Sequence, residues 1–243
     1  MISDINKKTN DDIISPNTMN NNSFFNISDY NIIYGTSIED NNVKTLDLSF
    51  KNEGNKILEN ICTINFDNLE DLKLHTNRIT DINNLEKMNL EKLQSLHLYN
   101  NFIKDISPLV KNNLNNLQKL YLQFNNISDI TPLKNLNCIN LISLHLDNNH
   151  IIDITPLSEV PFKNIRHLSL HKNKIKDISV FKFVKLKNLQ KLSLFYNNIK
   201  DITVFKEDIF PNLYSLWLYK NNFSYEENKN IIEMLKAKIE DFL

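Results

Sequence analysis

Leucine and isoleucine recur along this chain at a fixed step. Leu69, Leu93, Leu117, Leu141, Ile165, Leu189 and Leu213 stand 24 residues apart, and the columns that begin at Leu72 and Leu74 keep that step as far as Leu216 and Leu218. A polar column runs beside them: Asn77, Asn101, Asn125, Asn149, Asn173, Asn197 and Asn221. Seven copies in register, without insertion or deletion, define a tandem array of stacked supersecondary units. A degenerate copy precedes them at VKTLDLSFKN, starting at Val43 and offset by two residues.

Within each copy the period changes. LxLxx alternates, which predicts a short strand with Leu72 and Leu74 on one face and Lys73 and His75 on the other. Successive copies then stack as parallel strands about 4.8 Å apart. The asparagine column falls where the chain must leave the strand in a tight turn. Its side chains offer two donors and one acceptor to inward-facing backbone groups, which predicts a ladder. Farther on, Ser107-Pro108, Thr131-Pro132 and Thr155-Pro156 place an N-cap residue before a proline at the first helical position, so a short 3₁₀ or α turn is expected. Asp81, Asp105, Asp129, Asp153, Asp177 and Asp201 form a further column, read as caps of local amides rather than a cation-binding stripe. One copy offers few apolar positions (Leu69, Leu72, Leu74, Ile79, Ile82, Leu85 and Leu90 in the second), so it cannot fold without its neighbours.

The unit LxxLxLxxNxIxDI(S/T)PL, seen whole from Leu117 to Leu133, resembles the leucine-rich repeat in its short, internalin-like and protein phosphatase 1 regulator-like class. The resemblance covers residues 43–225, taken as eight repeats. It implies an α/β architecture: a right-handed leucine-rich-repeat solenoid with a parallel β-sheet on the concave face and short 3₁₀/α turns on the convex face. Residues 1–42 read as an N-terminal arm and cap. Its first 22 residues are polar and disordered in character, and Phe24, Phe25, Ile27, Tyr30, Ile32, Ile33 and Tyr34 are expected to shield the first repeat. Residues 226–243 read as an amphipathic capping helix carrying Ile231, Leu235, Ile239 and Phe242 inward.

Composition removes several function classes. Of the two glycines neither lies beyond residue 55, so no Gly-rich phosphate loop is available in the repeats. The net charge of −1 argues against a whole-molecule basic field for nucleic acid. The chain has no run of apolar residues long enough for a membrane span, and its first residues lack the apolar stretch of a secretory signal. The two cysteines, Cys62 and Cys138, are too few for a disulfide framework, and an intracellular compartment, cytoplasmic or nuclear, is expected. Cys138 shares its register with Leu90, Leu114, Phe162, Leu186 and Phe210 and is placed in the core. Cys62 lies three coils away, about 14 Å, too far to bridge.

Function is expected on the outward strand face. Counting from the first leucine of each unit, the second, third, fifth, seventh and eighth positions of repeats two to eight give 35 outward sites. Eight are aromatic (Tyr99, Tyr121, Phe124, Phe195, Tyr196, Tyr214, Trp217 and Tyr219), where a random share of the chain's 23 aromatics would be about three. Five of the six histidines join them: His75, His97, His145, His167 and His171. Exposed aromatics mark recognition surfaces; packing between neighbouring strands is the structural alternative. The densest group is C-terminal, and Phe195, Tyr196, Tyr214, Trp217 and Tyr219 are read as an anchor for a protein partner, rimmed by Lys172, Lys191 and Lys220. Lys73, Lys119, Arg166 and those three lysines outnumber Glu70, Asp71 and Asp147, so a mildly acidic ligand surface is favoured. The resemblance implies candidate partners. One is a phosphatase catalytic subunit, since Trp217 matches a concave aromatic of the phosphatase regulator in kind and place, with Ser215 where an acidic residue is expected. Tubulin-associated, dynein and spliceosomal proteins are others, the last implying an RNA-associated adaptor. A zinc site from His145, Asp147, His167 and His171 is not expected, because side chains on such a sheet do not converge on one ion. The chain therefore reads as a monomeric, non-enzymatic protein-binding module without cofactor, metal or membrane contact, and direct binding of nucleic acid is the disfavoured alternative.

Overall fold

The computed structural model describes residues 43–243. The expectations for the N-terminal arm and for the apolar cluster from Phe24 to Tyr34 lie outside the described residues. Nine short strands follow one another: β1 (Thr45–Asp47), β2 (Asp71–Lys73), β3 (Ser95–His97), β4 (Lys119–Tyr121), β5 (Ser143–His145), β6 (His167–Ser169), β7 (Lys191–Ser193), β8 (Ser215–Trp217) and β9 (Asp241–Phe242). They form one parallel sheet in sequence order, with Leu72, Leu96, Leu120, Leu144, Leu168, Leu192 and Leu216 paired in an unbroken row. The leucine columns are buried, so burial of apolar surface between coils holds the stack together.

The asparagine ladder closes each coil onto the one before. Asn101 Nδ2 donates to the carbonyls of Leu74 in the preceding coil, at 3.1 Å, and of Leu98 in its own, at 2.9 Å. Its Oδ1 accepts from the amides of Asn77 and Ile79, each at 3.0 Å. The two carbonyl bonds and the bond from the isoleucine amide recur at Asn125, Asn149, Asn173, Asn197 and Asn221. In the degenerate first coil Lys51 takes the asparagine's place, and Asn77 Oδ1 accepts the amides of Lys51 and Asn52, at 2.8 and 3.0 Å.

The residue just before each ladder asparagine bends the chain through left-handed backbone. Thr76, Asn100, Phe124, Asn148, Lys172, Tyr196 and Lys220 all have φ between 51° and 60°. Side chains other than Asn and Gly meet a steric cost there.

Beyond the turn, six 3₁₀ segments (Asn83–Lys87, Ser107–Lys111, Thr131–Asn135, Thr155–Glu159, Ser179–Lys182 and Thr203–Lys206) take the place held in the first coil by helix α1 (Lys56–Ile61). The expected serine and threonine N-caps are corrected: Ile106, Ile130 and Ile154 occupy the cap positions, with no side-chain cap bond. The carboxylate two residues upstream holds the first amide instead, as Asp105 does for Ser107 and Asp153 for Thr155, each at 2.8 Å. The hydroxyls of Ser107 and Thr155 donate to the same carboxylates, at 2.9 Å. Asp177 and Asp201 make the amide bond where no proline follows, at 2.8 and 2.7 Å, so the aspartate column and not the proline builds the turn.

The C-terminal segment departs from the single helix expected over 226–243. Helix α2 runs only over Lys229–Lys238 and buries Ile231, Ile232 and Leu235. Ile239 is already extended, and Phe242 belongs to β9, opposite Leu216. The ten-residue helix carries the chain back across the coil, where sheet hydrogen bonds await it: the amides of Asp241 and Leu243 donate to the carbonyls of Tyr214 and Leu216.

Candidate functional site

In-register parallel strands hold equivalent side chains at about the strand spacing, close to the distance at which flat rings stack. Two outward rows use this. In the row of strand-end residues, His97 stacks on Tyr121 at 4.6 Å between ring centroids, and Tyr121 stacks on His145 at 5.0 Å. Two residues farther along each coil, His75 stacks on Tyr99 at 4.2 Å, and Phe195 is sandwiched between His171 at 4.1 Å and Tyr219 at 4.6 Å. Packing between neighbouring strands, the structural alternative, therefore fixes the orientation of these rings. None of the eight aromatics is buried.

The rings fall into two clusters. The first joins His75, His97, Tyr99, Tyr121 and His145, with the exposed ring of Phe50 set edge-on to His75 at 5.1 Å. The second joins His171, Phe195, Tyr196, Trp217 and Tyr219; Phe195 lies 5.8 Å from Tyr196 and 6.1 Å from Trp217. Phe124 and Tyr214 are exposed but make no ring contact among the described residues. Lys172 lies over the Tyr196 ring at 6.0 Å and Lys191 over the Tyr214 ring at 5.6 Å. Lys220, exposed, follows Tyr219 directly in the chain.

Between the clusters sits a polar strip. Asp147 is buried, with His171 Nε2 3.5 Å from its carboxylate and His145 Nδ1 3.9 Å away. Ser143 Oγ lies 2.9 Å from His145 Nε2, and Ser169 Oγ lies 2.9 Å from His171 Nδ1. Burial lowers the pKa of both histidines, against the pull of Asp147. His167 faces Lys191 and Arg166 instead, and burial first and those two cations second push it down as well. Among the described residues, no three His, Cys, Asp or Glu side chains converge as a metal-ligand set.

Trp217 is half-buried, and its indole N–H donates to Asp241 Oδ2 at 3.0 Å, while Ser215 Oγ donates to the same oxygen at 2.8 Å. Sequence reasoning misses Asp241 because the apolar spacing carries the expected helix through it. It also misses Phe50, which occupies the eighth position of the degenerate coil. In both cases a 26-residue step replaces the 24-residue one, as the pairs Thr45 with Asp71 and Ser215 with Asp241 show.

A family profile described as leucine-rich repeats, two copies, matches residues 91–135, 139–183, 163–207 and 187–230. Among curated proteins, none matches the chain. Solved structures do. An internalin (inlF) of Listeria monocytogenes shares 30% identity with a TM-score of 0.63, over 84% of this chain and 56% of that one. An internalin C2 of the same organism shares 27% with a TM-score of 0.68, over 86% of this chain and 87% of its own. A leucine-rich-repeat protein of Leptospira interrogans, at 24% identity and a TM-score of 0.66 over 86% of this chain and 51% of that one, shares the fold. No helix among the described residues is long and apolar enough to cross a membrane.

Proposed function

The chain belongs to the leucine-rich-repeat family, and from that premise we propose that it is a non-enzymatic protein-recognition module whose partner lies along the outward strand face. The observation that carries this reading is the second ring cluster: Phe195 in ring contact with Tyr196, Trp217 and Tyr219, with Tyr196 and Tyr219 exposed. Rigid aromatic side chains pre-positioned by the sheet contribute contact area at low entropic cost. A chemical role fits the polar strip less well. Asp147, His171 and Ser169 line up as acid, base and hydroxyl, but the amides beside the serines, of Leu170 and Leu194, already donate to the Ser193 and Trp217 carbonyls. An acyl transfer would need free donors at that place. Two buried free thiols fit a reducing compartment.

The test is co-purification of partners with the wild-type chain and with a Tyr196→Ala, Tyr219→Ala variant, identified by mass spectrometry and verified with purified components. Loss of a verified partner from the variant, with the thermal melt retained, supports the reading. Full retention of every partner removes it.

A second reading, regulation of a protein phosphatase 1-type catalytic subunit, gains one support. The acidic group wanting at Ser215 is supplied by Asp241, bonded to both Ser215 and Trp217. A purified catalytic subunit that fails to bind the chain would end it.

A further inference from the structure

The overall charge of −1 conceals a strong asymmetry. Between residues 163 and 220 the chain carries twelve Lys and Arg against four Asp and Glu. Three of those four acids are engaged locally: Asp177 and Asp201 hold turn amides, and Asp208 pairs with Lys238. On the strand face of these coils Arg166, Lys172, Lys191 and Lys220 are all exposed, and among the described residues none of them forms an ion pair. The first coils differ. There Lys44 pairs with Glu70 at 2.9 Å, and Lys73 lies between Asp47 and Asp71 at 3.6 and 3.7 Å.

The rings at the basic end are also used in a particular way. Phe195 has both faces covered, by His171 and Tyr219, and lysine ammonium groups lie over Tyr196 and Tyr214. A nucleobase stacks on a free ring face. Phe195 therefore offers its rim outward, and Tyr196 meets Phe195 and Tyr219 edge-on; the rim of an aromatic ring is the positive end of its quadrupole. Uncompensated cations and positive ring rims both attract an anion, and ring faces already taken by His171, Tyr219, Lys172 and Lys191 favour an acidic side chain over a nucleotide that must stack its base.

We propose that the strand face of the last three coils, from Arg166 to Lys220, binds a carboxylate-rich peptide segment of a partner protein. This deepens the protein-recognition reading and rests on it. The segment lies across Lys172, Tyr196 and Lys220 on one side and Arg166, Lys191 and Tyr214 on the other, with its acidic side chains toward the lysines and ring rims.

The experiment titrates the full chain, by fluorescence anisotropy at physiological ionic strength, with a labelled oligo-glutamate, an oligo-lysine and an oligothymidylate matched in charge to the oligo-glutamate. Saturable binding of oligo-glutamate is expected, falling with added salt. Reversing Arg166, Lys172, Lys191 and Lys220 to Glu weakens it about tenfold or more, since four screened contacts are lost. These exposed substitutions leave the thermal melt in place, and Tyr196→Ala, which removes a rim without changing charge, weakens binding independently. Absence of oligo-glutamate binding, indifference to charge reversal, or tighter binding of the oligothymidylate overturns the proposal, the last in favour of a nucleic acid ligand. The two readings fail separately. If a verified natural partner is lost from the Tyr196→Ala, Tyr219→Ala variant but kept by the charge-reversed one, the acidic-segment proposal falls and the recognition reading stands. If both variants keep it, both fall.

Discussion

At the scale of single residues, the ladder asparagines and the left-handed residues before them do opposite things to stability. Asn149 satisfies the Leu122 and Leu146 carbonyls, at 3.0 Å each, and the Ile127 amide at 2.9 Å, all out of reach of water. Asn149→Ala leaves those groups without a partner and is expected to cost about 1–3 kcal/mol, read as a lowered denaturation midpoint. Phe124 shows the reverse. It holds φ at 55°, is 51% exposed and touches no other ring, while Asn100 and Asn148 take the same bend in the coils on either side. Phe124→Asn is therefore expected to raise stability by about 1 kcal/mol, a chemical-denaturation experiment being the check. Cys138 is fully buried, its thiol pushed up to about 12, so a thiol reagent should label it only at the rate of unfolding. The ladder was legible from the sequence because an uncharged polar column locked to leucine columns has few physical uses. The left-handed bend was not, since Thr, Phe, Lys and Tyr at that position give no local hint of it.

At the scale of elements, the last strand and the ring rows carry the testable consequences. β9 is two residues long and anchors the chain's one tryptophan through Asp241. Asp241→Ala frees the indole N–H to water, and the expected outcome is a red-shifted emission spectrum in the native protein. So short a strand, reached by a 26-residue step, lay below any periodicity signal, and an apolar spacing of three and four extended the helix over it by mistake. The histidines of the strand face link pH to folding. Burial holds the folded pKa of His75, His145, His167 and His171 below the ordinary value of 6.5. The unfolded chain therefore binds protons first on acidification. Stability contributed by the neutral rings is full above pH 6.5 and is lost as pH falls below it toward the lowered folded values. The melting temperature should decline between neutral pH and about pH 5. Protonation also adds positive charge to the strand face, so affinity for oligo-glutamate should move the other way, upward, over the same range.

At the scale of the whole solenoid, every inner coil makes the same bonds to its neighbours, so a coil is the unit that can be removed. Deleting residues 141–164 joins Asn140 to Ile165 with every column still in phase. That shortened chain should give a cooperative far-ultraviolet melt. Deleting residues 141–152 puts leucines against turns and should abolish it. The sheet, the core and the location of the aromatic surface were all legible at this scale, because 24-residue repetition sums a weak local signal seven times. The charge asymmetry was present in the sequence too, but a net charge averages it away. The bend ahead of each ladder asparagine has one more implication. Across eight coils it has accepted Phe50, Thr76, Asn100, Phe124, Asn148, Lys172, Tyr196 and Lys220 without any change in register. A degenerate library randomised at these eight sites alone should yield mostly folded members with different binding preferences, because the backbone tolerates the substitution while the exterior is rewritten.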